Sequence, residues 1–309
     1  MKVLATISNM TQLAAVLDLE SGTIESIPIR PEFIDPTVPE DRFPCTPFGI
    51  TWDSTNTKLF VSNNRQLLVY DRNFQYRETL STPLHMNVHQ LGYHDGCVWA
   101  ASPRTNSLIG IFLDGSSAVE LDIFRQRLIP YVPRDSADRE DLKHVNSLLW
   151  AHDALYVAAH NFGSSFIVSF DKTTFRLSSI TRDVGGSIHG VAQHEGELFW
   201  IDTEGHAVRS SGGLRVPLTR QGFGRGFAMS KDYFVVGISR ISDRALRAAG
   251  DAYVHLIDRT SRTMISEHHI SDCGNIHDLR LIDEFDFAHG VQPFLSPQAA
   301  GLGLTLETA

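Results

Sequence analysis

One short phrase recurs six times along this chain, and whatever fold the sequence adopts must place six copies of it in equivalent surroundings. Three copies carry histidine at the shared position: Asn87-Val88-His89-Gln90-Leu91, Ser187-Ile188-His189-Gly190-Val191 and Asn275-Ile276-His277-Asp278-Leu279. His144-Val145-Asn146-Ser147-Leu148 is a variant, and Thr46-Pro47-Phe48-Gly49-Ile50 and Phe223-Gly224-Arg225-Gly226-Phe227 replace the histidine. The shared position reads Phe48, His89, Asn146, His189, Arg225, His277, so histidine falls in every second copy. Repetition at intervals of a few tens of residues marks stacked or radial units, each too small to bury its own apolar face.

Each phrase is followed by a polar turn and a second β-rich run, as in His94-Asp95-Gly96-Cys97-Val98-Trp99 or His194-Glu195-Gly196-Glu197-Leu198-Phe199. That is strand, tight turn, strand. Third strands end in an acidic turn, at Asp71, Asp171 and Asp258, and fourth strands such as Thr174 to Ile180 and Thr263 to His268 follow. Four-stranded units without a persuasive helical period predict an all-β fold, a six-bladed β-propeller forming a single domain over residues 1–309. Blades begin near Phe48, His89, Asn146, His189, Arg225 and His277. The last copy has only an inner strand, Ile276 to Ile282, while Lys2 to Ser8, Leu13 to Leu19 and Thr23 to Ile29 lack one. Joined, they make one blade that closes the ring and leaves no open sheet edge there. Insertions at Arg30 to Pro44, Asp122 to Lys143 and Ser242 to Asp251 are expected on one face as surface loops or a lid. The tail from Glu284 onward is a strap across the ring or disordered.

With 42% hydrophobic and 20% charged residues the chain has the composition of a soluble globular protein. A net charge of -9 argues against nucleic acid or anionic membrane as partner, leaving a small-molecule substrate. The opening residues Met1 to Asn9 turn polar too soon for a signal peptide, and no apolar run is long enough to span a bilayer, so the expected location is cytoplasmic. Cys45, Cys97 and Cys273 are too few and scattered for a disulfide framework or thiolate metal site.

In a six-unit ring alternate units lie about 120° apart, so His89, His189 and His277 would converge on the axis as a three-histidine metal site. Neutral imidazoles with open positions suit zinc, with Fe(II) and copper as alternatives. Residues i and i+2 of a strand share a side. One channel tier therefore reads Phe48, His89, Asn146, His189, Arg225, His277 and the next reads Thr46, Asn87, His144, Ser187, Phe223, Asn275. Arg225 is placed to stabilise negative charge on a substrate, and His144 to act as base or fourth ligand. Substrate contacts are sought in Asn87, Asn146, Arg104, His160, Asp202 and Arg240, at strand ends on the same face. His94, His152 and His194 belong to turns on the opposite face and are expected to be solvated. No phosphate loop, serine-hydrolase elbow or His-Glu-x-x-His helix occurs.

Over nearly its whole length this pattern resembles six-bladed propellers of the NHL and gluconolactonase type. Gly222 to Phe227, followed by Val235 to Arg240, resembles a motif of an uncharacterised bacterial propeller family. The histidine layout is similar to the peptidyl-hydroxyglycine amidating lyases, which implies zinc on His89, His189 and His277 with Arg225 as charge stabiliser. Gluconolactonase-type enzymes hold a divalent cation with Glu, Asn and Asp, of which Asn146 is the matching residue. Carotenoid-cleaving oxygenases bind iron through four histidines in a seven-bladed ring. These expectations define a metal-dependent lyase or hydrolase acting on a small, polar, anionic substrate. The alternatives are an Fe(II) oxygenase with four histidine ligands and a propeller that only binds a ligand or partner.

Overall fold

The computed structural model describes residues 1–8, 11–28, 46–63, 66–80, 88–114, 117–132, 143–161, 164–241 and 247–295. The first strands are β1 (Lys2–Ile7), β2 (Gln12–Asp18) and β3 (Ile24–Pro28). Blade 1 holds β4 (Ile50–Trp52), β5 (Leu59–Ser62), β6 (Leu67–Tyr70) and β7 (Tyr76–Leu80). Blade 2 holds β8 (Leu91–His94), β9 (Cys97–Ser102), β10 (Ser107–Phe112), β11 (Ala118–Asp122) and β12 (Arg127–Pro130). Blade 3 runs through β13 (Val145–Trp150), β14 (Leu155–Asn161), β15 (Ser164–Phe170) and β16 (Leu177–Thr181). Blade 4 runs through β17 (His189–His194), β18 (Glu197–Asp202), β19 (Ala207–Ser210) and β20 (Arg215–Pro217). Blade 5 comprises β21 (Phe223–Met229), β22 (Tyr233–Ser239), β23 (Ala252–Asp258) and β24 (Met264–Ile270). The last strand, β25 (Ile276–Leu281), pairs antiparallel with β1 and completes blade 6 as β25-β1-β2-β3.

Inner strands touch in the order β4, β8, β13, β17, β21, β25 and back to β4, which closes a six-bladed propeller. Blade 2 departs from the expected four strands: Arg127–Pro130 pairs with β11 as a fifth strand inside a segment read as an insertion. The Pro-rich stretch 30–44 lies outside the described residues, as do 133–142, 242–246 and 296–309.

The apolar core is divided among the blade interfaces, because strand alternation sends successive side chains to opposite neighbours. In β5, Leu59 and Val61 pack toward blade 6 while Phe60 packs toward blade 2. In β9, Val98 and Ala100 face blade 1 while Cys97, Trp99 and Ala101 face blade 3. Each of the six interfaces has its own cluster of buried apolar residues. Phe60 is fully buried, so Phe60→Ala is expected to cost about 3–5 kcal/mol in urea denaturation. A loss below about 1 kcal/mol would mean the interface closes over the gap. Tight turns fit the hairpins: Asp95 and Gly96, like Glu195 and Gly196, have positive φ, the geometry of two-residue turns that follow strand twist. Cys97 and Cys273 are free, buried thiols that burial pushes up to about 12, beyond the reactive range. No helix among the described residues is long and apolar enough to cross a membrane.

Inner strands begin at one face with the repeated phrase and end at the other, where residues 283–295 form a strap. Phe287 exchanges backbone hydrogen bonds with Met229 and Gln193, Trp52 Nε1 donates to Gln292 O at 2.8 Å, and Leu295 N donates to Ile282 O. Asp286 is fully buried and accepts from the backbone N–H of Met229, Leu281 and Ala288. Between strap and mouth the axis is plugged. Arg280, 0% exposed, donates through Nε to Ile50 O and through Nη2 to Leu91 O, both at 2.7 Å, and pairs with Asp278 at 3.0 Å. His289 of the strap bonds Asp286 at 2.7 Å and Gln90 at 2.8 Å.

Candidate functional site at the channel mouth

The repeated phrase folds as a β-bulge. In blades 3, 5 and 6 the ladder skips one residue at Asn146, Arg225 and His277, and in blade 4 at Gly190. In blades 1 and 2 the same pattern shows as Ser62 bonding both Phe48 and Gly49, and Ala101 bonding both His89 and Gln90. A bulge twists its strand and turns one side chain out of the regular alternation. Bulged inner strands leave amides that the strand's own sheet does not satisfy, and neighbouring side chains accept them. Gln90 Oε1 takes Leu148 N at 2.8 Å, Ser147 Oγ takes Gly190 N at 2.9 Å, and Asp278 Oδ2 takes Ile50 N at 3.0 Å. In blade 1 the close approach of blade 2 demands glycine: a Cβ on Gly49 would lie 2.4 Å from His89 O.

What the bulges present is a closed ring of side chains. Ring centroids run Phe48 to His89 at 5.7 Å, His89 to His144 at 4.9 Å, His144 to His160 at 4.4 Å and His160 to His189 at 6.5 Å. The circuit continues from His189 to Phe223 at 5.6 Å, and the Arg225 guanidinium lies over Phe223 at 4.7 Å. Arg225 Nη1 donates to His277 Nδ1 at 3.0 Å, and His277 returns to Phe48 at 4.9 Å.

Hydrogen bonding fixes two tautomers. Since Arg225 donates to Nδ1 of His277, the proton of that ring is on Nε2, which donates to Ser8 Oγ. Thr203 spends its hydroxyl proton on Gly224 O at 2.7 Å, so it accepts from Nδ1–H of His189 at 3.1 Å. That leaves His189 Nε2 as a buried lone pair without a hydrogen-bond partner. Burial holds His89, His189 and His277 well below the ordinary histidine value of 6.5, and the positive charge of Arg225 adds to this at all three. Neighbouring imidazoles add further at His89 and His189.

The structure brings His89, His144, His160, His189, Arg225 and His277 onto one ring. It does not bring the three expected ligands onto one point: no three His, Cys, Asp or Glu among the described residues are placed so that they could hold a metal ion. His277 has both nitrogens engaged, and His144 and His160 stand between His89 and His189. Asn146 shares the bulge but not the ring: its amide donates sideways to Ile188 O at 2.8 Å, clasping blade 3 to blade 4. Asp202 is spent on the amides of Gly186 and Gly205 and on Arg209. Arg104 is half-buried in the turn after β9, and Arg240 is exposed at the end of β22. Asn87 lies outside the described residues. Ser8 and Thr203 are the functional additions that sequence reasoning missed; both are single hydroxyls near strand ends, with nothing to mark them before their partners are known.

The depressed histidines have a stability consequence. A group whose folded value lies below its unfolded one contributes stability above about pH 6.5, lost as pH falls, at up to about 1.4 kcal/mol per pH unit for each imidazole. His89→Asn is therefore expected to flatten the loss of melting temperature between about pH 7 and pH 5 relative to the parent chain. Identical pH profiles for the two proteins would refute the burial of a neutral ring at this site.

No protein-family profile matches the chain, and no curated protein matches its sequence. Among solved structures it is similar to a chain of a nidogen/laminin complex, with a TM-score of 0.64 and 11% identity over 90% of this chain and 97% of that one. A protein of unknown function from Bacteroides caccae matches with a TM-score of 0.60 at 11% identity, over 90% and 97% of the two chains. A chain of a mitotic checkpoint complex matches at 0.54 with 12% identity, over 90% and 77%. At these identities the likeness is one of fold alone, and the fold it shares with this chain is the β-propeller.

Proposed function

We propose that the channel mouth binds a small anionic molecule and carries out lyase or hydrolase chemistry on it. The observation that carries this reading is the Arg225 guanidinium, fixed by His277 and Phe223 in a ring where desolvation holds His89, His189 and His277 well below the ordinary histidine value. A permanent cation in a partly water-excluded rim attracts a carboxylate or a developing oxyanion. His144, between His89 and His160, is the base in this reading, with His160 beside it as a substrate contact. The resemblance to gluconolactonase-type propellers belongs to the same proposal, as does a reducing, cytoplasmic setting that fits the free thiols of Cys97 and Cys273. The test is a turnover screen over small lactones, esters and hydroxy acids. Arg225→Met and His144→Ala are each expected to lower the rate at least about a hundredfold without loss of fold. Turnover that survives both substitutions would place the chemistry elsewhere.

One observation favours the metal centre as a second reading: His189 Nε2 is a buried lone pair, and Thr203 holds the ring in the tautomer a metal ligand adopts. As the side chains stand, the His89, His189 and His277 set does not fit an ion, because Arg225 occupies the His277 lone pair. Elemental analysis of the natively purified protein decides. Stoichiometric zinc or iron that disappears in His189→Ala supports the metal; metal-free protein with full turnover removes it.

A further inference from the structure

The strap face carries a second cleft, of about 470 Å³, between blades 2, 3 and 4 and the strap. Its size is that of small-ligand sites. The strap builds it by an inverted pattern: Asp286 is buried in the core, while Phe285 and Phe287 on either side of it are left half-buried in the cleft wall. Half-buried aromatics flanking a buried acid are the reverse of what solvent alone would select. More of the lining is aromatic. His94 lies flat on Trp150 with centroids 4.0 Å apart and planes 10° apart, and Tyr93 adjoins it.

The histidines here correct the expectation of three solvated turn residues. His152 is exposed, but His94 and His194 have side chains only 28% and 18% exposed, and His194 packs edge-on against Phe287 at 4.5 Å. Burial lowers both from the ordinary histidine range, so they line the cleft as neutral rings. One permanent cation completes the lining. Lys172 is anchored by donating to His152 O at 2.6 Å and Ala151 O at 3.4 Å, which holds its ammonium at the blade 3 rim. Glu195 also lines the cleft, but its side chain is 86% exposed and turned toward His194.

We infer that this cleft is a binding site for a planar aromatic molecule bearing a negative charge, its ring held between the Trp150–His94 stack and Phe285 and Phe287, and its charge met by Lys172. An aromatic lining suits an aromatic ring, and the anchored ammonium selects an anion over a neutral ligand. The site is separate from the mouth, since the Arg280 plug and the strap lie between the two faces.

The test uses naphthoate and its uncharged counterpart naphthamide, titrated into the full chain by calorimetry. Naphthoate is expected to bind saturably below about 1 mM. Lys172→Ala should weaken naphthoate about tenfold and leave naphthamide unchanged. Phe287→Ala should weaken both; should that variant fail to fold, Phe285→Ala and the Lys172 comparison of charged and uncharged probe carry the test alone. Arg225→Met should bind naphthoate as the parent chain does. The inference is overturned by the absence of saturation at about 10 mM, by affinity indifferent to the cleft substitutions, or by loss of binding in Arg225→Met, which would put the probe in the mouth.

Discussion

Arg280→Leu is expected to remove about 3–5 kcal/mol of stability, a large share of the roughly 5–15 kcal/mol that a domain of ordinary stability has. Among the described residues Arg280 is the largest fully buried charged side chain, and it ties three inner strands together: Asp278 on its own strand, Ile50 O on β4 and Leu91 at the start of β8. Leucine would fill part of the space but leave two carbonyls without donors and Asp278 without its cation. Burial pushes Asp278 up to about 6 and Asp286 up to about 7, and the Arg280 charge works against this at both. Without Arg280 both carboxyls take up protons more readily. A raised carboxyl value gives stability that is present in acid and lost as pH rises, so the deficit of the variant should be largest above about pH 7 and shrink below pH 6. Urea denaturation at several pH values checks this. Asp278→Asn combined with Arg280→Leu should recover part of the loss, since it removes the orphaned charge. A deficit under about 1 kcal/mol at every pH would show that the plug is dispensable.

The six-blade ring was legible because a repeat constrains globally: six copies of one phrase, with an unmatched inner strand at one end and three unmatched strands at the other, leave few ways to close. The mouth was legible only in part, and the bulge is the reason. Strict alternation assigns Asn146 to the channel and His144 to the tier above it. The extra residue at Asn146 breaks that count, sends its amide to Ile188 O, and His144, at φ 30, turns in beside His89. A bulge is defined by what lies opposite it, and no single strand announces its partner's register. The same holds for the histidine triad. Spacing put His89, His189 and His277 on one ring, but both nitrogens of His277 are engaged by residues distant in sequence, Arg225 of blade 5 and Ser8 at the end of β1 in its own blade. Arg280 gave no signal either: nothing marks one arginine between Leu279 and Leu281 as the plug until the neighbouring carbonyls are known.

Arg225→Met is expected to raise the titration midpoints of three histidines at once, because its charge opposes protonation of His277, His89 and His189 alike. His277 touches the guanidinium and should move most, since Coulomb energy falls with distance. All three should stay below 6.5, because burial is the larger cause at each and methionine leaves it in place. Ring resonances followed by NMR through a pH titration read each histidine separately. The same substitution should weaken binding of a small carboxylate at the mouth at least about tenfold, through loss of a desolvated charge pair. Arg225→Lys separates charge from shape: the midpoints should remain low, while a single ammonium replaces the two-pronged grip of the guanidinium and affinity falls only in part. If lysine lifted the histidine midpoints as far as methionine does, the cause would be altered packing around Phe223, and Arg225 would lose its place as the source of the field in which a substrate anion is held.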